Sequence, residues 1–152
     1  MKKLDNDVDI LRKTVVVSGG FAPFHSGHAR YLNHAAAHGQ LIVVLNSDQW
    51  LLKNKGFIFQ DFYERMEVLF CFTRTRSVVA ADDEDGTICK NLEKIYPDIY
   101  CVGATHVNAS DTPEVKLCEK LGIRVMFDIG GPRVQSSAAL VQRAVDAMKP
   151  KE

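Results

Sequence analysis

A chain of 152 residues, 46% hydrophobic and 25% charged, is the size of one soluble domain and can bury a core without disulfides or a structural metal. Nineteen Lys plus Arg balance nineteen Asp plus Glu, which removes any overall electrostatic case for nucleic acid or an anionic membrane as partner. The charged start, Met1 to Asp7, is followed by no long apolar run, so neither a signal peptide nor a spanning helix is expected.

Residues 1–12 read as a lead-in or short helix, and residues 13–148 as one domain. Thr14 to Ser18 is a Val-rich run ending at Gly19-Gly20, the pattern of a buried parallel strand. After a loop to Ser26, Gly27 to His38 reads as a helix stopped by Gly39. Leu41 to Leu45 is a second strand, with turn or helix-start residues at Asn46, Ser47 and Asp48. Lys53 to Gly56 reads as a loop, and Asp61 to Phe72 as an amphipathic helix. Strands follow at Ser77–Ala80, Ile99–Val102 and Ile123–Phe127, and helices at Thr87–Tyr96, Pro113–Leu121 and Ser136–Met148. The alternation predicts an α/β fold: a single Rossmann-like domain, a five-stranded parallel sheet with helices on both faces. A ligand is then expected beyond the carboxyl ends of the strands, where Gly19-Gly20 and Gly103 lie.

The chemistry concentrates in Gly19-Gly20-Phe21-Ala22-Pro23-Phe24-His25-Ser26-Gly27-His28. Two glycines let backbone approach a ligand, and a helix N-terminus with free N–H groups attracts phosphate. His25 and His28 sit at that helix start and can donate hydrogen bonds to phosphate oxygens, with Gly27 leaving room between them. Neither the P-loop pattern nor Gly-x-Gly-x-x-Gly occurs, which argues against a P-loop kinase or a dinucleotide-binding oxidoreductase.

Gly-x-Phe-x-Pro-x-His-x-Gly-His after the first strand resembles the signature of the H-x-G-H nucleotidyltransferase superfamily. Within it, the short chain is similar to the glycerol-3-phosphate cytidylyltransferases and the adenylyltransferase domain of ADP-heptose synthases, from about Val15 to Leu140. The resemblance implies transfer of CMP or AMP from CTP or ATP to a phosphorylated small molecule, such as a sugar or polyol phosphate. Pyrophosphate leaves, and Mg2+ accompanies the nucleotide. It implies catalytic roles for His25, His28 and Lys53, and nucleotide contacts from Gly19, Gly20, Phe21, Gly27, Arg65, Gly103, Ser136 and Ser137. Lys55 would contact a substrate phosphate, Gly130-Gly131 would let the last loop fold over the ligand, and the enzyme would be a homodimer. The chain departs from the family pattern at Ala22 and at Gly103-Ala104-Thr105-His106, where acidic residues are common. Two other functions stay open: a nucleotide-binding module without turnover, and an adenylyltransferase making a dinucleotide cofactor.

Several of these residues carry an ordinary reading too. Lys53 and Lys55 suit a solvated loop, Arg65 a surface pair with Asp61, and Ser136 and Ser137 a helix cap compatible with phosphate binding. Trp50, Phe57 and Phe59 fit core or a dimer contact better than a nucleotide cover, and Asp82 to Asp85 a solvated turn better than a metal site. His34 and His38 lack a third ligand, and no metal site from protein side chains is expected. His106 falls near the site. Cys71, Cys89, Cys101 and Cys118 form no Cys-x-x-Cys pair and read as buried or half-buried thiols in a reducing, cytoplasmic compartment.

Overall fold

The computed structural model describes residues 8–10, 12–104 and 109–150; Thr105 and His106 lie outside them. Five strands, β1 (Thr14–Gly19), β2 (Gln40–Leu45), β3 (Thr75–Ala80), β4 (Ile99–Gly103) and β5 (Arg124–Ile129), form one parallel sheet in the order β3-β2-β1-β4-β5. The expected α/β fold and five-stranded parallel sheet are present. β1 is central, and Val15, Val16 and Val17 are all fully buried because both of its faces are covered. Val15 and Val17 point into one core with Leu32, Leu41, Val43 and Leu69, while Val16 joins Val44, Leu92, Tyr100 and Cys118 on the other face. The first core is covered by α1 (Ser26–Ala36) and α3 (Phe62–Cys71), the second by α4 (Cys89–Ile95) and α5 (Pro113–Leu121).

Four local expectations change. The Lys53–Gly56 segment is not a loop: it is the last turn of α2 (Asp48–Lys55), which Ser47 caps by accepting from Trp50 N and Gly56 closes in the left-handed region at φ 83°. α1 ends at Ala36, two residues before the expected last helical residue, His38. Gly39 has a different task, since a Cβ there would stand 2.5 Å from the Lys13 carbonyl oxygen. Asp83 is not part of a solvated turn; it is buried and accepts from Asn46 Nδ2 (3.0 Å), Ser47 N (2.9 Å) and Ser47 Oγ (2.7 Å), locking the β3 exit to the start of α2. Of the four cysteines, all free, Cys71 is exposed rather than half-buried. No helix among the described residues is long and apolar enough to cross a membrane.

Strand order places the site. β1 runs beside β2 on one side and β4 on the other, so the chain's crossovers diverge at β1 and leave a crevice at its carboxyl end. β1 pairs with β2 along its whole length, from Thr14 with Gln40 to Gly19 with Leu45. With β4 its pairing is confined to Val15–Ile99 and Val16–Tyr100 among the described residues. The two strands therefore part before Ser18 and Gly103, and the last helix, α6 (Ser137–Met148), begins over the gap.

Candidate active site

A cavity of about 280 Å3 fills this gap. Ser18, Gly19 and Gly20 form one wall, Gly103 and Ala104 the opposite one, and the segment from Ile129 to Ala138 the roof. His25 and His28 stand on its floor at the start of α1.

The two imidazoles are organised by the backbone. His25 is the N-cap of α1, and its Nδ1 accepts from Gly27 N (3.1 Å) and His28 N (3.4 Å). His28 Nδ1 accepts in return from His25 N (3.3 Å), the reciprocal arrangement of a capping box built from two histidines. A neutral imidazole whose Nδ1 accepts carries its proton on Nε2. Both rings therefore hold an N–H donor on the side away from the helix. The rings stack at 3.7 Å between centroids and 17° between planes. Phe21 packs edge-on against His28 at 5.0 Å, and Phe24 at 5.6 Å. Phe21 reaches this place from a left-handed backbone, φ 51°, uncommon for a bulky residue.

Burial, then the charge of His25, pushes the His28 pKa down from 6.5 to about 3. Burial and then the Arg133 guanidinium lower that of His25. Both shifts favour the neutral imidazole, and with Nδ1 accepting, Nε2 is the N–H of each ring. A polyanion between them and the last helix would stabilise the protonated form and draw these pKa values upward.

This geometry revises part of the sequence reading. The first-turn amides of Gly27 and His28 are not free for phosphate, since His25 Nδ1 already accepts from them. Gly27 makes room for the His25 ring rather than for a ligand: a Cβ would lie 2.9 Å from His25 Cε1. A second helix start, that of α6, also borders the cavity. Its cap Ser136 accepts from Ala139 N (3.1 Å), and Ser137 and Ala138, the residues ahead of it in the first turn, both line the cavity. Ser137 Oγ donates to the Pro23 carbonyl (3.1 Å), fastening α6 to the loop that precedes His25.

Gly19, Gly20, Phe21, Gly27, Gly103, Ser136 and Ser137 all line the cavity with the two histidines. The two lysines part company. Residues two apart on a helix do not face the same way; both lysines are exposed, but Lys55 shares its face with Leu51 and lines the cavity, whereas Lys53 is not among the lining residues. Arg65 is not on the cavity either, nor is it a surface partner of Asp61. It is 1% exposed, and its guanidinium donates to the carbonyls of Gly20 (2.9 Å), Asn46 (2.8 Å) and Gln60 (3.1 Å) and pairs with Asp48 Oδ1 (2.6 Å). Arg65 thus pins the Gly19-Gly20 turn to the end of β2 and the start of α2. Trp50 lines the cavity rather than the core, and Phe57 and Phe59 are exposed.

Arg133, in Gly130-Gly131-Pro132-Arg133, is a cavity residue that the sequence reading passed over. A cation in a glycine-rich loop three residues before a helix-capping serine was the available signal. Tyr31 is a second: it lines the cavity and donates from its hydroxyl to the Cys101 carbonyl (2.6 Å). No Asp, Glu or Cys lines the cavity, and no cluster of three metal-ligating side chains occurs among the described residues. These residues do not fit a protein-held magnesium site.

A family model described as cytidylyltransferase-like matches residues 16–137. The chain is 34% identical over 124 residues to the bifunctional protein HldE of Hydrogenovibrio crunogenus, a match covering 78% of this chain and 23% of that protein. It is 32% identical over 91 residues to the FAD synthase of Ferroglobus placidus, covering 60% of this chain and 59% of that one. The chain thus spans less than two thirds of these curated relatives. Among solved structures, a lipopolysaccharide core biosynthesis protein from Thermoplasma volcanium superposes with a TM-score of 0.60 at 25% identity, covering 76% of this chain and 93% of that one.

Proposed function

The chain belongs to the cytidylyltransferase-like family, and from that premise we propose that it is a nucleotidyltransferase that moves AMP or CMP from the nucleoside triphosphate onto a phosphorylated small molecule and releases pyrophosphate. The observation that carries this reading is the stacked His25–His28 pair, its Nδ1 atoms held by backbone N–H groups and its Nε2 donors left for a ligand. Such a pair shares the cavity with Arg133, Lys55 and the first turn of α6, a set of donors and cations that suits the oxygens of a phosphate chain.

In the proposed reaction an acceptor phosphate oxygen attacks the α-phosphorus. The new P–O bond forms as the bond to the β-phosphate bridging oxygen breaks, and pyrophosphate takes the electron pair. The protein contributes position and charge stabilisation, not a covalent intermediate. His25 and His28 donate to phosphate oxygens as negative charge shifts toward the leaving group, and Arg133 and the α6 amides hold that group. A nucleotide-bound magnesium ion would offset charge on the phosphates as part of the substrate. Lys55 takes the lysine role, in place of Lys53. The relatives named FAD synthase favour ATP, since FAD carries an adenylyl group joined to a flavin phosphate.

Pyrophosphate release, followed with ATP and with CTP against a panel of phosphomonoesters, tests the reading. Release that requires both nucleotide and acceptor supports it. Tight nucleotide binding without release across the panel would leave a binding module instead. We further propose a cytoplasmic homodimer, supported by the free thiols and by the exposed Leu52, Ile58, Phe59 and Tyr63; a monomeric mass in sedimentation would remove the second part.

A further inference from the structure

A second depression, of about 260 Å3, opens beside the catalytic cavity between the C-terminal turn of α2 and the start of α6. Ala22, Leu51, Lys55, Ser137 and Ala138 line both spaces, so the two are continuous. Asn54 and Phe57 complete it. Its walls are mostly hydrocarbon: two alanine methyl groups, Leu51 and the Phe57 ring, which is 42% exposed. Lys55 is the one charged residue among those lining it, and it stands at the junction with the cavity.

We infer that this depression is the acceptor subsite, and that the acceptor is a phosphomonoester with a flat, apolar, ring-bearing body rather than a polyhydroxylated chain. The inference rests on the proposed nucleotidyl transfer. An acceptor must bring its phosphate to the α-phosphorus in the cavity while its body lies outside it. Lys55 complements that phosphate where the two spaces meet. The body then lies on Ala22, Leu51, Phe57 and Ala138. A polyol there would surrender hydroxyl hydration against surfaces that return few hydrogen bonds, since Asn54 and Ser137 are the only neutral polar side chains in the lining and Ser137 Oγ already donates to Pro23. A ring would instead stack on or against Phe57 and leave water.

The test uses the full chain with two acceptor pairs: naphthyl phosphate and a flavin phosphate against glycerol 3-phosphate and a hexose 1-phosphate. Binding is read by calorimetry, and turnover by pyrophosphate release with ATP and with CTP. The expected result is that ring-bearing phosphates bind at least tenfold more tightly and give the higher kcat/KM. Phe57→Ser, a change at a half-exposed side chain that leaves the fold in place, should raise their Kd and KM about tenfold. It should raise the nucleotide KM much less. Preferential turnover of the polyol phosphates would overturn the inference while leaving nucleotidyl transfer standing. Tight, Phe57-dependent binding of ring-bearing phosphates with no turnover of any acceptor would sustain the subsite and refute the transfer reaction. Equal binding of both classes, or binding indifferent to Phe57→Ser, overturns the subsite whatever the turnover.

Discussion

Two helix mouths open on the cavity, and they are finished in different ways. At α1 the cap is an imidazole that takes the first-turn amides for itself and presents its own Nε2–H outward. At α6 the cap is a serine that takes one amide, from Ala139, and leaves the turn ahead of it on the cavity wall. One mouth commits its backbone donors to a side chain that can itself gain a proton; the other commits one backbone donor to a hydroxyl that cannot. The difference teaches that two helix N-termini on one cavity need not be chemically alike, and that only the histidine cap can change its charge.

The difference can be broken or sharpened by substitution. The largest effect should come from Arg65→Ala, which strips partners from the Gly20 and Asn46 carbonyls and from Asp48, and so loosens the loop leading into α1 without touching α6. Breaking such a buried, multiply bonded charge costs about 3–5 kcal/mol. Urea unfolding measures it, and a loss under 1 kcal/mol would show that Arg65 is not the anchor of the loop.

Next is His28→Ala. Removing one well-placed donor costs about a hundred- to thousandfold in turnover, here read as pyrophosphate release by a variant whose circular dichroism is unchanged. Near-normal turnover would reduce the α1 mouth to a structural cap. Ser136→Ala should do less. Loss of a helix cap costs about 1 kcal/mol, a fall of about 2–4 °C in Tm for a chain of this size, and turnover should drop far less than at His28. An equal drop would mean that the serine hydroxyl, rather than the amides near it, holds phosphate.

The remaining effect is read as a pH dependence of stability rather than as the loss of one contact. His28 binds a proton near pH 6.5 when unfolded and only near pH 3 when folded, because burial first and His25 second disfavour its charge; His25 shifts the same way. Between those values the unfolded chain holds more protons, so stability rises with pH and is lost as pH falls from 6.5 toward 3. The carboxylates with lowered values, Asp82, Asp85, Asp98 and Asp111, act only below their ordinary 3.8. A Tm that declines between pH 6.5 and 4, and declines less in His28→Gln, is expected; identical slopes would exclude the histidine.

The sheet was legible because its signals are local. Three consecutive valines read as a strand covered on both faces, and the glycine-bounded histidines read as a site without knowledge of any distant contact. Arg65 was not legible, since what it bonds are main-chain carbonyls at Gly20 and Asn46, 45 and 19 positions away, and carbonyls have no sequence signature. Lys53 and Lys55 were read together because a loop imposes no phase. Once Ser47 and Gly56 bound a helix between them, its 100° step per residue sends the two lysines to different sides. The reversed use of the α1 amides was hidden for another reason: histidine is a rare helix cap, and serine, threonine and aspartate are the residues one looks for there.

The bond from Ser137 to the Pro23 carbonyl joins positions 114 apart. All five strands are therefore synthesised before that bond can close, β1 ahead of both partners and the other four between them. A nascent chain stalled ahead of α6 already holds both imidazoles and all five strands, yet lacks the Ser137 hydroxyl that fastens α6 to the loop before His25.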